Sequence, residues 1–202
     1  MKTFLLIGIC AALLLSPVRA QKRTGRAERH DVPLDQIQTA IRNGFGSKVK
    51  IESADGRSYL LGDFNGDGFS DIAVLVNIEE AKADLKQHGV KYVDADPWSR
   101  GNGSQIDPLA DGIQNCLGIA IIHGTAVGWA VSEPAGKFMI YNCFSSFRIV
   151  RKGQRIRRGG GSTGRTPILK GDSIFLDLES GATAIVYWNG KTYRGFGLRM
   201  GD

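Results

Sequence analysis

A nine-residue acidic segment between two apolar runs constrains the fold of this chain more than any other feature. The segment places side-chain oxygens at its first, third, fifth and ninth positions and a glycine at its sixth. A hard cation such as Ca²⁺ takes about six to eight oxygen ligands, and a glycine permits the sharp turn that lets alternate side chains converge. A polar turn that needs no metal is the alternative interpretation. The predicted ligands are four side chains and one backbone carbonyl: those of Asp63, Asn65, Asp67 and Asp71, and the carbonyl of Phe69.

The flanks of this loop predict two β-strands and not the two helices of an EF-hand. Residues 58–61 and 72–76 are short, largely apolar runs, which is typical of strands. The twelfth loop position, where an EF-hand has a bidentate glutamate, is Val74, which has no ligating atom in its side chain. We therefore expect a strand-loop-strand calcium hairpin.

Gly62 to Val74 contains the order Asp-x-Asn-x-Asp-Gly-x-x-Asp followed by an apolar strand. In this order it resembles the FG-GAP/VCBS type of repeat, the propeller unit of integrin-α-like proteins, over about residues 58–77. The resemblance implies Ca²⁺ as the ligand. A propeller needs several such repeats, and the nearest second candidate, Asp107 to Gly112, has an apolar residue at its third position. The expectation is a single calcium-type hairpin and not a full propeller.

The first 20 residues have the three parts of a secretory signal peptide. Lys2 supplies the positive start, residues 4–15 supply the apolar run, and residues 18–20 form a small-residue cleavage site. The apolar run is shorter than the ~20 residues that a membrane-spanning helix needs, and no later segment is long and apolar enough to span. We expect a secreted or periplasmic protein with no membrane span once residues 1–20 are removed.

The mature chain predicts one α+β domain over residues 33–202, with the calcium-type loop near its start. Removal of residues 1–20 takes away Lys2 and Arg19 and no acids, so the net charge falls from +6 to +4. Residues 21–32 are polar and basic and are expected to be a disordered lead-in. The roughly 180 residues of the mature chain are enough for one domain with its own core.

Hydrophobic periodicity predicts two helices near the N-terminal half and mainly antiparallel β-structure elsewhere. The Asn189-Gly190 pair is typical of a type I′ turn and predicts a hairpin between the last two strands. Residues 94–115 hold many turn formers and predict a long loop. The predicted helices are 34–45 and 78–88, and the predicted strands are 48–52, 58–61, 72–76, 117–123, 127–131, 137–142, 147–150, 173–178, 184–188 and 192–198.

Two cysteines remain after removal of the signal peptide, Cys116 and Cys143. In an oxidising compartment such a pair is more often bridged than free, although two buried thiols are the alternative. If residues 117–123 pair directly with 137–142, antiparallel pairing places positions 116 and 143 opposite each other, where a bridge needs no strain. A meander with a full strand at 127–131 would separate them. We predict the direct pairing and a disulfide.

The densest positive stretch predicts a contact with a polyanion. A solvated segment that maintains solubility is the alternative. The export signal favours an anionic polymer of the cell envelope, or another exported protein, over nucleic acid. The predicted contact residues are Arg151, Lys152, Arg155, Arg157 and Arg158.

Signals for nucleotide binding and catalysis are weak. Residues 159–166 have the glycine spacing of a phosphate-binding loop, but Arg165 replaces the lysine and a proline follows directly, so no nucleotide is expected. His30, His88 and His123 lack the spacing of a helical zinc site and have no evident nucleophile to activate. The favoured hypothesis is an exported, calcium-binding, non-enzymatic module with no catalytic residues. The alternative is an exported polysaccharide hydrolase or lyase that carries a structural cation.

Overall fold

In the part of the chain that the structure describes, two β-sheets and two α-helices form three stacked layers. The computed structural model describes residues 32–54, 56–95, 117–129, 136–157 and 165–199, which belong to one compact unit. In chain order the elements are α1 Leu34–Phe45, β1 Lys50–Ile51, β2 Tyr59–Gly62, β3 Asp71–Asn77, a 3₁₀ turn Glu79–Ala81, α2 Lys82–Gln87, β4 Lys91–Asp94, β5 Gly118–Ile122, β6 Lys137–Tyr141, β7 Phe144–Val150, β8 Ser173–Leu178, β9 Thr183–Trp188 and β10 Tyr193–Arg199.

The first sheet is organised around β3, which has partners on both edges. The strand order is β1-β3-β5-β6-β4, and β2 pairs with the part of β3 that β1 leaves open. All pairings are antiparallel except that of β4 with β6, which is parallel. β3 and β5 are buried along almost their whole length, because the helices cover one face of this sheet and the second sheet covers the other.

The second sheet has the order β10-β9-β8-β7 and is antiparallel throughout. Its strands alternate between two environments. On β8, Ile174, Leu176 and Leu178 pack in the core between the sheets, whereas Phe175 lies on the opposite side. This period of two is the pattern of a strand whose two faces differ in burial.

Two apolar cores hold the three layers together, one between the sheets and one between the first sheet and the helices. From α1, Ile37, Ile41 and Phe45 are at most 2 % exposed, as their spacing predicts, while Leu34 in the first turn is 53 % exposed. Neither sheet closes into a barrel or propeller in the described ranges. The prediction of an α+β fold, mainly antiparallel β with two helices near the N-terminal half, is confirmed. Neither of the described helices has the length and apolarity to cross a membrane.

The pattern did not predict β4. This strand has four residues, buries only Val93 completely, and pairs in parallel with β6 far along the chain. So short a run carries too few residues to show alternation. Its place in the sheet follows from a long-range pairing that local periodicity does not encode.

The predicted strand at 127–131 is wrong for the part that the structure describes, residues 127–129. The Gly128 N–H donates to the Thr125 carbonyl at 3.0 Å, Gly128 has a φ of 94°, and Val127 is 82 % exposed. These features belong to a turn. Because this segment leaves the sheet, β5 pairs directly with β6, which is the arrangement predicted from the cysteines.

The second helix is shorter than predicted. Instead of one helix over 78–88, a 3₁₀ turn at Glu79–Ala81 leads into α2, which ends at Gln87. Glu79 and Glu80 lie in the first turn, where negative charge interacts favourably with the positive end of a helix dipole. Beyond Ala95 the predicted loop at 94–115 lies outside the described residues.

The final hairpin is confirmed, but its turn differs from the type I′ prediction. Trp188 pairs with Tyr193, so four residues connect β9 and β10 where a type I′ turn would leave two. The Asn189 side chain accounts for the longer loop. Its Oδ1 accepts hydrogen bonds from the N–H groups of Lys191 at 2.9 Å and Thr192 at 3.0 Å.

Cys143 lies between β6 and β7 and is disulfide-bonded. Gly118 on β5 pairs with Tyr141 on β6, so the same register continued by two residues would place position 116 opposite 143. Cys116 itself lies outside the described residues, and the identity of the bridge stays a prediction.

We expect no free thiol in unreduced, denatured protein that lacks residues 1–20, because a bridge between the two remaining cysteines consumes both. Titration with a thiol reagent in guanidinium chloride measures this directly. A reduced sample is the control and should give two thiols per chain. Two free thiols in unreduced protein isolated from an exported fraction would contradict the predicted bridge.

Candidate metal centre

The acidic segment forms the loop of a β-hairpin, as predicted. β2 and β3 pair antiparallel, and the pair Gly62 with Asp71 closes the loop. Within it, Gly66 and Gly68 have positive φ values of 78° and 93°, a conformation that glycine adopts at little cost. The predicted oxygen donors therefore lie on one tight turn at the end of two core strands.

Asp71 is the buried anchor of this loop, with a relative exposure of 0 %. Its Oδ2 accepts hydrogen bonds from the backbone N–H groups of Phe64 at 2.7 Å and Asn65 at 3.0 Å, and its Oδ1 accepts one from Gly124 at 2.7 Å. Burial raises the pKa of this carboxyl to about 6, although the three N–H donors favour its ionised form. One side chain thus ties the start of the loop to the segment that follows β5.

Asp63 organises the opposite side of the turn. Its Oδ1 accepts the Gly66 N–H at 2.7 Å and its Oδ2 accepts the Gly68 N–H at 3.1 Å. A carboxylate oxygen has two acceptor positions, so each oxygen of the partly exposed Asp63 keeps one position beyond these bonds. The side chain can hold the turn and still offer oxygen to a cation.

Asn65 and Asp67 bond to each other at the surface of the loop. The Asn65 Nδ2 donates to Asp67 Oδ2 at 2.7 Å, and the Asp67 N–H donates to Asn65 Oδ1 at 2.9 Å. Asp67 Oδ1 also accepts the N–H of Phe69, a residue that is 43 % exposed. These are the short-range side-chain-to-backbone bonds of a polar turn. Asn65 and Asp67 therefore bond to each other and to the turn in this arrangement.

The side chains of the loop are of the types that bind calcium, but they do not converge on one point in this arrangement. In the described ranges, no three carboxylate, imidazole or thiol side chains are grouped closely enough to hold a metal ion. Asp63, Asn65 and Asp67 supply hard oxygen donors near the surface, whereas Asp71 keeps only one acceptor position beside its three amide bonds. The residues present fit Ca²⁺ chemically, and binding requires the surface side chains to rotate.

The loop is also fixed to the second sheet through Asp172, which precedes β8. The Asp172 N–H donates to the Asp63 carbonyl at 2.7 Å, and the Asp63 N–H donates to Asp172 Oδ2 at 3.2 Å. The same carboxylate accepts Arg151 Nη1 at 2.7 Å and the Lys152 N–H at 2.8 Å. An added Cβ at Gly171 would lie within 3.0 Å of three backbone atoms of the loop. The acidic loop is thus held between the two sheets.

Sequence reasoning missed this junction. Asp172 lies 109 residues after Asp63, its partner in the loop. A Gly-Asp pair before a strand signals a turn and names no partner. The docking therefore has no local signature.

The indole of Trp129 covers the end of the loop, because its Nε1 donates to the Ser70 carbonyl. Gly124 lies equally close, since a Cβ there would collide with the same carbonyl group. Trp129 belongs to the turn that was predicted to be a strand. Its contact with Ser70 joins this turn to the acidic loop.

His123 lies at the end of β5 in an aromatic cluster beside the loop. Its Nε2 is 2.9 Å from the Tyr193 hydroxyl oxygen, and its ring centroid is 5.3 Å from that of Phe138 and 5.2 Å from that of Trp188. Burial lowers the pKa of His123 and raises that of Tyr193 well above its ordinary value. The imidazole is thus bonded to a buried phenol and packed by rings, which is the environment of a structural histidine.

We expect wild-type protein to lose stability relative to the His123→Gln variant as the pH falls below about 6.5. The folded pKa of His123 is lower than its ordinary value of 6.5, so the unfolded state takes up the proton first. The contribution of neutral His123 to the free energy of unfolding is complete above pH 6.5. It is lost as the pH drops toward the pKa of His123 in the folded state.

Urea unfolding of both proteins at pH 7.5 and 5.5, in chelator, measures this difference. Titration of Asp71 occurs in both proteins and cancels between them. A stability difference that stays constant, or that moves in favour of the wild type at pH 5.5, would contradict the prediction.

The predicted polyanion residues have two different environments. Arg151 and Lys152 are exposed overall, but the Arg151 guanidinium is paired with the buried carboxylate of Asp172 at the junction of the two sheets. Arg155 and Arg157 are exposed, and among the described residues neither forms an ion pair. Arg158 lies outside the described residues.

The resemblance to FG-GAP/VCBS repeats rests on the pattern of the loop. The described hairpin has the strand-loop-strand form that this pattern implies, and a hairpin of that form does not by itself identify a family. Comparison of the whole chain with protein-family models, with curated proteins and with solved structures finds no match.

Proposed function

We propose that this chain is an exported, calcium-binding, non-enzymatic module with a structural or interaction role in the cell envelope or outside the cell. The observation that carries the proposal is the position of the loop at 63–71. Asp71 anchors it in the first sheet through three backbone amides, and Asp172 holds it against the second sheet. A cation bound there would stiffen the junction of both sheets and not merely a surface turn.

The proposed ligands are the side chains of Asp63, Asn65, Asp67 and Asp71 and the carbonyl of Phe69. When bound, Ca²⁺ supplies positive charge to three carboxylates that otherwise lie within one short loop. Asp63 and Asp71 are held in place by amides. Asn65 and Asp67, which lie at the surface, would exchange their mutual hydrogen bonds for the metal.

Isothermal titration of chelator-treated protein with CaCl₂ tests this proposal. We expect one site per chain in the wild type and no measurable binding in Asp67→Ala, because that substitution removes a central charged ligand that is not part of the buried anchor. Glu179→Ala removes an exposed carboxylate from the turn between β8 and β9 and is the matched control, which should bind like the wild type. Absence of heat and of bound metal in the wild type would reject the calcium proposal.

The alternative function, a polysaccharide hydrolase or lyase, predicts turnover. The aromatic environment of His123, which lies beside the loop, favours a structural role for this histidine. A screen on anionic glycans that compares product release with binding separates the two functions. Binding without turnover supports the module. Turnover that survives repurification and exceeds that of a heat-treated control sample supports the enzyme.

A further inference from the structure

The outer face of the second sheet, the side away from the first sheet, combines arginines with aromatic rings. We define this outer face by five residues that alternate with the core positions of their strands. Arg148, Phe175 and Ile185 are cross-strand neighbours in register, and Phe196 pairs with Ile185 in the same row. In the adjacent row Tyr187 pairs with Arg194. The five residues of the outer face are Arg148, Phe175, Tyr187, Arg194 and Phe196.

Part of this face is closed by a small apolar cluster and the rest is accessible. Val150, Ile185 and Leu198 are at most 8 % exposed, and Ile156 and Leu169 from the β7–β8 connection pack against them. Phe175, Tyr187 and Phe196 stay half-buried, while Arg148 and Arg194 are exposed. Ile156 and Leu169 thereby place the described ends of this connection at the border of the outer face.

The outer face itself carries two arginines, and the sequence that follows Arg148 is strongly basic. Residues 148–172 contain eight lysines and arginines and one acid, Asp172, and that acid is 8 % exposed and paired with Arg151. Asp177, on the same side of β8, accepts a hydrogen bond from the Ser146 hydroxyl at 2.6 Å. Among the described residues, no ion pair neutralises Arg148 or Arg194. These cations are available to an external anion.

Arg148 is held in position for such an anion. Its guanidinium carbon lies 3.8 Å from the centroid of the Phe175 ring. Stacking on an aromatic face fixes the plane of a guanidinium while its N–H groups stay available, and a planar guanidinium matches carboxylate and sulfate oxygens in a bidentate manner. The same contact covers the Phe175 ring face, which a nucleobase would need for stacking.

From this geometry we propose that the outer face binds an anionic polysaccharide, carboxylated or sulfated, through Arg148 and Arg194. Charge complementarity selects an anion, the stacked guanidinium selects planar or tetrahedral oxyanions, and the covered ring disfavours single-stranded nucleic acid. The site lies on the face of the second sheet opposite the core, and its residues are not ligands of the acidic loop. It therefore does not require Ca²⁺.

Isothermal titration with heparin and with polygalacturonate, in chelator and with protein lacking residues 1–20, tests the proposal. We expect at least one of these polymers to bind, and the double substitution Arg148→Gln/Arg194→Gln to weaken that binding about tenfold or more, because two charge-assisted contacts are lost. Arg42→Gln, on the exposed side of α1, is the matched control and should bind within about twofold of the wild type. Arg148→Lys keeps the charge but loses the planar guanidinium with its paired N–H donors, so it should also weaken binding.

Four results would overturn the proposal. The first is that neither polymer binds. The second is that the double variant binds as tightly as the wild type although its melting temperature is unchanged. The third is that Arg42→Gln weakens binding as much as the double variant, which indicates diffuse charge attraction. The fourth is tighter binding of single-stranded DNA of matched charge. Since every titration is done in chelator, loss of the calcium proposal would leave this result unaffected.

Discussion

Replacement of Asp71 by alanine is expected to lower the free energy of unfolding by about 3–4 kcal/mol at pH 7.5 in chelator. The substitution leaves the N–H groups of Phe64, Asn65 and Gly124 without their acceptor, and two of these bonds are buried. Each orphaned buried donor costs about 1–3 kcal/mol. Removal of a carboxylate whose pKa is raised by burial offsets part of that cost.

Urea unfolding of three proteins decides whether Asp71 is the anchor of the loop. The wild type and Asp71→Ala are compared with Asp67→Ala, whose side chain is exposed and bonds only within the turn. Without calcium, Asp67→Ala should change the unfolding free energy by less than about 1 kcal/mol. Equal losses in the two variants would contradict the distinction between a buried anchor and a surface ligand.

Gly171→Ala is expected to cost about 3 kcal/mol, because the site has no room for a methyl group. An added Cβ would lie within 3.0 Å of the Asp63 carbonyl oxygen, the Gly66 nitrogen and the Phe64 carbonyl oxygen. All three are backbone atoms of the acidic loop and cannot rotate away. The loop must therefore separate from the second sheet or distort.

Equilibrium unfolding of Gly171→Ala beside Lys170→Ala isolates this docking contact. Lys170 is the exposed neighbour, and truncation of its side chain leaves the backbone contacts in place, so its effect should stay within about 0.5 kcal/mol. A loss for Gly171→Ala no larger than for Lys170→Ala would show that the loop is not packed against residues 170–172.

Local sequence patterns predicted the elements whose signals are contained within a few residues. α1 follows from the helical spacing of Ile37, Ile41 and Phe45, and the acidic hairpin follows from one loop between two apolar runs. The final hairpin was predicted from Asn189-Gly190, but its loop is longer than the type I′ turn that this pair predicts. The side chain of Asn189 accepts two N–H groups and lengthens the loop, a choice that the dipeptide alone does not reveal.

Long-range contacts limited the prediction of the candidate site. The pattern of the loop makes Asp63 and Asp71 equivalent as potential ligands, and only the fold separates their roles. Asp71 is paired with Gly124, 53 residues later, and Asp63 with Asp172. Burial of one carboxylate and partial exposure of the other depend on how the two sheets meet. Periodicity in the sequence describes faces of single strands and does not contain that information.

Thermal unfolding with Ca²⁺ and with chelator tests the central claim most directly. At a Ca²⁺ concentration about a hundredfold above Kd, binding to the folded state should add about 2.7 kcal/mol and raise Tm by roughly 5–10 °C. Asp67→Ala should melt at the same temperature in both conditions, while the Glu179→Ala control should keep the full shift. Identical wild-type melting temperatures with saturating Ca²⁺ and with chelator, together with no bound metal by elemental analysis, would contradict the account.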